Sequence, residues 1–80
     1  PGHGDTIIDS HLDLPREEVD MERLDAVELV PFKKSIKSRI DMIMTAHIMF
    51  NKIDPEWPVT MSEIFIKKML REDMRYKGLV

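Results

Sequence analysis

Ile40-Asp41-Met42-Ile43-Met44-Thr45-Ala46-His47-Ile48-Met49-Phe50 is the stretch on which the fold turns. It is dense in Ile and Met, unbroken by Gly or Pro, and too short for a long helix. A strand buried on both faces fits it better than a surface hairpin strand, although methionine also favours helix. Asn51 to Pro58 follows as a loop, because Asp54-Pro55 and Trp57-Pro58 push the residue before each proline out of the helical region. Thr60 with Glu63 then reads as a capping box, and Ile64, Phe65, Met69 and Leu70 line one face of a helix. Arg75 and Lys77 complement its last turn, Gly78 is its stop signal, and Leu79-Val80 resumes an apolar run as a new strand opens.

Upstream, Leu24, Val27, Phe32, Ile36 and Ile40 are spaced for one helical face, with Asp20 as N-cap. Pro31 inside that pattern predicts a kink, or two short helices with Pro31 near the start of the second. Before them, residues 1–14 show neither strand nor helix periodicity, and Pro15 closes this loop. The order loop, helix, strand, loop, helix, strand start predicts an α/β chain built from βαβ units around a parallel sheet.

The 80 residues suffice for one small domain with a thin core. Twelve basic and 15 acidic residues, net charge -3, are spread along the chain, which argues against nucleic acid or an anionic membrane as partner. The longest apolar run is too short to span a bilayer. There is no cysteine, hence no disulfide framework or thiolate zinc site; this fits a reducing compartment such as the cytoplasm. The chain opens at Pro1 without a signal-peptide pattern, so we expect the true N-terminus upstream and do not read localisation from it.

Four titratable residues crowd the first loop, His3, Asp5, Asp9 and His11, with Asp13 close behind. Composition alone allows a polar surface loop, with glycines for tight turns. Metal binding through His and Asp is a second reading, weak without a ligand spacing of the known kinds. A third is an acid/base pair: a carboxylate two residues before a histidine can accept from one ring nitrogen, which fixes the tautomer and favours the protonated ring.

The longer string Pro1-Gly2-His3-Gly4-Asp5-Thr6, Asp9-Ser10-His11-Leu12 and Leu14-Pro15 resembles a signature of family 3 β-N-acetylhexosaminidases. Glu28-Leu29-Val30-Pro31-Phe32 and Asp41-Met42-Ile43-Met44-Thr45-Ala46-His47 are similar to that family's helix and following barrel strand, and Gly78-Leu79-Val80 looks like the approach to the nucleophile strand. The resemblance implies that residues 1–80 are an internal piece of a (β/α)8 TIM-barrel catalytic domain; in such a piece standing alone helix should dominate, because helices are local and parallel strands need their missing neighbours. It implies a retaining hydrolase of terminal β-linked N-acetylglucosamine glycosides, such as those of cell-wall recycling. His11 would be the general acid/base and Asp9 its partner, with no cofactor and no metal. The family's Lys-His substrate pair and its nucleophilic Asp would lie before Pro1 and beyond Val80, leaving the isolated piece inactive.

Other residues admit two readings each. His47, near the C-terminal end of its strand, is either part of a sugar pocket or a hydrogen-bonded core histidine. His3 shapes the loop, or helps to order the dyad and bind substrate. Trp57 anchors its loop by packing, or stacks on a sugar. Met42, Met44 and Met49 are core fillers, and Lys67, Lys68, Arg71 and Glu72 a solvated face. A family 3 β-glucosidase is the enzymatic alternative, disfavoured by Asp9 and His11. A non-catalytic remnant that self-associates through open strand edges and apolar faces is the other.

Overall fold

Parallel pairing organises the chain in the computed structural model, which describes residues 2–80; Pro1, the first residue of the loop signature, lies outside them. Strand β1, Arg16–Glu17, runs parallel to β2, Met49–Phe50, with Arg16 opposite Met49 and Glu17 opposite Phe50. At the other end of the same central segment, Met42 bridges Leu79, also in parallel. The amide of Ile43 donates to the carbonyl of Leu79 at 2.9 Å, and that of Leu79 to Asp41 at 3.0 Å. Each parallel step is crossed by helix, giving a βαβ order. The resumed strand at Leu79 is therefore present. β1 is a correction, since its Arg-Glu sequence carries no strand signal; it forms because Pro15 is buried and its carbonyl accepts from the amide of Met49 at 2.9 Å.

Regular pairing covers less of Ile40 to Phe50 than expected, and the segment is not buried on both faces. Met42 and Met44 are exposed rather than core fillers, whereas Ala46, Ile48, Met49 and Phe50 are buried. Among the described residues, the strand has neighbours only at its two ends, so its middle makes no ladder. Helical segments outweigh the two-residue strands.

The first crossover follows the sequence closely. Asp20, in extended backbone, accepts from the amide of Arg23 at 2.9 Å and caps α1, Met21–Arg23. A π-helical turn, Leu24–Glu28, then leads into α2, Val30–Lys37, with Pro31 in its first turn where no amide donor is needed. The two-helix reading of Pro31 thus holds. In the wide turn the amide of Leu29 bonds the carbonyl of Leu24 at 2.8 Å, five residues back. Leu24 and Leu29 accordingly share the buried face, and Val27, expected on it, is turned outward.

The second crossover contains a short 3-10 turn, Val59–Met61, and a π-helix, Ile64–Asp73. Phe65, Met69 and Leu70 are buried as expected. Thr60 does not cap this helix; its hydroxyl turns back to the carbonyl of Ala46 at 3.4 Å. Ser62 supplies the cap, accepting from the amide of Phe65 at 3.2 Å. The C-terminus also differs. The helix ends at Asp73, before Arg75 and Lys77, and Arg75 takes the left-handed conformation at φ 56°. Arg71 is no mere solvated charge, since its Nη1 donates to the carbonyls of Tyr76 at 3.0 Å and Gly78 at 2.7 Å.

Leu24, Leu29, Ala46, Ile48, Phe50, Val59, Phe65 and Met69 form the core between helices and strand. Phe50 and Phe65 meet at a centroid distance of 5.2 Å. Gly78 is needed for close approach rather than as a helix stop. A Cβ there would lie 2.6 Å from the carbonyl oxygen of Asp41 and would collide with the hydroxyl end of buried Tyr76. Gly78→Ala is therefore expected to destabilise the fold by about 2 kcal/mol through overpacking, read from denaturant unfolding; a change under about 0.5 kcal/mol would show that this junction yields freely.

Candidate functional site

The loop of residues 2–14 is held by local bonds because it has little to bury. The amide of Thr6 donates to the carbonyl of His3 at 2.8 Å, closing a turn in which Gly4 supplies φ 33°. A second turn is centred on Asp9, whose carbonyl accepts from the amides of Leu12 at 2.9 Å and Asp13 at 3.1 Å.

This second turn folds His11 back onto Asp9. One carboxylate oxygen, Oδ1, accepts from the amide of His11 and lies against its ring Nδ1, each at 2.9 Å. The backbone donor first, then the ring, hold the Asp9 carboxyl below its ordinary value of 3.8. With Asp9 ionised, Nδ1 is the natural protonated nitrogen of the ring, which leaves Nε2 to face outward. The pair is open to solvent, the His11 side chain 91% exposed and that of Asp9 58%, so a ligand could reach it without rearrangement.

The other two expected site residues stand apart. His3 is exposed on the same loop, one turn before the dyad. His47 is exposed between buried Ala46 and Ile48, hence on the strand face turned away from the helices. Among the described residues, no hydrogen bond joins either ring to the dyad, and no group of three or more His, Asp or Glu is arranged to hold a metal ion.

Trp57 is half-exposed, and its loop is organised by Asp54, which the sequence marked only as the residue before Pro55. Asp54, buried, accepts through Oδ1 from the amides of Glu56 at 3.0 Å and Trp57 at 3.2 Å, and through Oδ2 from the Ser62 hydroxyl at 2.6 Å. Two further brackets surround the first loop. Arg16 donates to Asn51 at 3.1 Å, and Asn51 to Glu18 at 2.6 Å, across β1 and the end of β2. Arg23 reaches both Asp5 and Glu28. Apart from Arg23 and Glu28, these partners lie 18 to 35 residues apart, so no local spacing announces them.

The sequence matches the Glycosyl hydrolase family 3 N terminal domain over residues 1–80. A β-hexosaminidase of Alkalilimnicola ehrlichii is 41% identical over the whole chain, which spans 23% of that relative. Among solved structures, NagZ from Neisseria gonorrhoeae, in complex with N-trifluoroacetyl-D-glucosamine, superposes with a TM-score of 0.91 at 36% identity, covering 99% of this chain and 23% of that one. Zinc-bound CbsA from Thermotoga neapolitana gives a TM-score of 0.93 at 41% identity, with all of this chain matched to 18% of that protein. The chain thus spans roughly a fifth to a quarter of these relatives. With an α/β fold on a small parallel sheet and a match running through every residue, the chain belongs to glycosyl hydrolase family 3, by its N terminal domain.

Proposed function

We propose that residues 1–80 are a segment of the (β/α)8 catalytic barrel of a retaining β-N-acetylhexosaminidase, and that His11 and Asp9 are its acid/base dyad. The observation that carries this reading is the 2.9 Å contact from Asp9 Oδ1 to His11 Nδ1, on an open loop that leads into β1. Support also comes from the β-hexosaminidase relatives and from the glucosamine derivative held by the Neisseria protein. The substrate is a terminal β-linked N-acetylglucosamine glycoside.

In the first half-reaction, a carboxylate attacks the anomeric carbon while His11 Nε2 gives its proton to the departing glycosidic oxygen. In the second, neutral His11 takes a proton from the water that attacks the glycosyl-enzyme, and retention results. Asp9 fixes the ring and offsets the positive charge that it carries before the first step and regains in the second. His47 is a candidate wall of the sugar site, facing away from the helix layer, and His3 a candidate substrate contact or loop organiser. The family resemblance puts the nucleophile and the Lys-His substrate pair outside residues 1–80. The isolated chain should then be inert, and its exposed Met42, Met44 and Leu79 favour self-association.

The parent enzyme is expected to hydrolyse 4-nitrophenyl N-acetyl-β-glucosaminide with retention and to leave the matching glucoside nearly untouched, whereas residues 1–80 alone show no turnover and elute as oligomers in light-scattering chromatography. Preference of the parent for the glucoside would transfer the assignment to a β-glucosidase. Turnover by the isolated chain, abolished by His11→Ala, would refute the need for outside residues.

A further inference from the structure

We infer that Arg23 is a positioning residue for the loop that carries Asp9 and His11, a role that rests on the acid/base reading above. That loop is not placed by apolar burial: its Ile7 is 96% exposed and its Leu12 84%. On its C-terminal side the backbone joins the sheet through Pro15 and Met49. On its N-terminal side, among the described residues, the side-chain link to the rest of the fold is Arg23 Nη2 donating to Asp5 Oδ2 at 3.2 Å. Asp9 and His11 lie between these two attachments.

The same Nη2 donates to Glu28 Oε1 at 2.7 Å. Glu28 sits one helical turn further on, three-quarters buried, and its second oxygen is enclosed without a hydrogen-bond partner. A carboxylate so placed requires a nearby cation. Glu28 therefore holds the guanidinium against the helix whether or not the loop is down. Arg23 becomes a fixed charge onto which Asp5 docks, and docking limits where the His11 ring can stand. Fixed orientation of a proton donor is worth rate, since misplacement is costly.

The Asp5 pair is exposed on both sides, so its leverage is modest. In the parent enzyme, Arg23→Gln is expected to lower kcat about three- to fivefold, with KM little changed, on substrates whose leaving group needs a proton. Asp5→Asn should do the same, the double variant should be no worse than either, and Arg23→Lys should recover part of the loss. Raising the ionic strength should slow the unmodified enzyme toward the variants' rate and leave the variants unaffected, a response that a purely structural defect does not give. If Arg23→Gln does not fold, Asp5→Asn on the open loop carries the test alone. Unchanged kcat in Asp5→Asn, or additive losses, would overturn the inference while His11→Ala remains inactive. Full activity in His11→Ala would instead remove the acid/base reading, and this role with it.

Discussion

His11→Ala in the parent enzyme should lose about 10²- to 10⁴-fold in kcat on glycosides with a sugar or alkyl leaving group, the usual contribution of a positioned proton donor. A poor leaving group cannot depart as an alkoxide, so the whole loss falls on the first half-reaction. An activated aryl group departs without a proton. With it the first step survives, the second lacks its base, and a burst of the phenol followed by slow turnover is expected. Equal losses on both substrate types, with no burst, would count against a dual acid/base and favour a structural role for the ring. Asp9→Asn should lose less, because an amide oxygen still accepts from the His11 amide but the negative charge opposite Nδ1 is gone. The sign of the pH effect follows from the lowered Asp9 value. Its carboxylate is present throughout the neutral range and is lost only as pH falls below 3.8 through the folded-state value, so Asp9 does not set an activity limb near neutrality.

The largest stability effect is expected at Asp54. Asp54→Ala would strip acceptors from the amides of Glu56 and Trp57 and from the Ser62 hydroxyl, which itself caps the next helix through Phe65. Ser62 is only 1% exposed, so water cannot replace what is lost. Each hydrogen bond to a charged group contributes about 1.5–3 kcal/mol, and the three share one side chain, so about 3 kcal/mol is expected for the substitution. Ser62→Ala should cost about 1–2 kcal/mol, and the pair should be markedly non-additive in a denaturant cycle. Independent, summed losses would show that the two residues do not act as a unit. The Ser62 hydroxyl first, then the two amides, hold the Asp54 carboxyl below 3.8 against the opposing effect of burial. Its stabilisation is therefore complete above that pH and disappears as pH falls through the folded-state value, a loss that Asp54→Asn should abolish.

The helical crossovers were the legible part of the fold. Asp20 and Pro31 act through their own backbone geometry, and both appear where local chemistry places them. Val27 was misplaced because periodicity assumes 3.6 residues per turn, and a π-helical turn between Leu24 and Leu29 is decided by packing. β1 was invisible for a related reason: Arg16 and Glu17 join the sheet because buried Pro15 delivers them to Met49, a relation 33 residues long in the chain. Ser62 was overlooked in favour of Thr60 because both stand before an apolar run; tertiary contacts chose between them when Ala46 took the Thr60 hydroxyl.

At the candidate site, the short-range pairing of Asp9 and His11 could be read, since two residues suffice to write it. Its supports could not. Asp5 and Arg23 are 18 residues apart, and Arg16 and Asn51 are 35 apart. Nothing in either residue's neighbourhood foretells the partner.

The open loop between Asp5 and Pro15 has a thermodynamic consequence of its own. The amides of Thr6, His11, Leu12, Asp13 and Leu14 are engaged in turns or with neighbouring carboxylates, and Ile7 and Leu12 remain in water, so little burial is forfeited when it lifts. Its opening free energy should lie near the bottom of the scale, whereas Leu24 and Ile48 release their amides only when the core parts. Hydrogen exchange should consequently resolve two populations, a fast one from residues 2–14 and a slow one from the strand and helices behind it. Sugar occupying the site would convert part of the first population into the second.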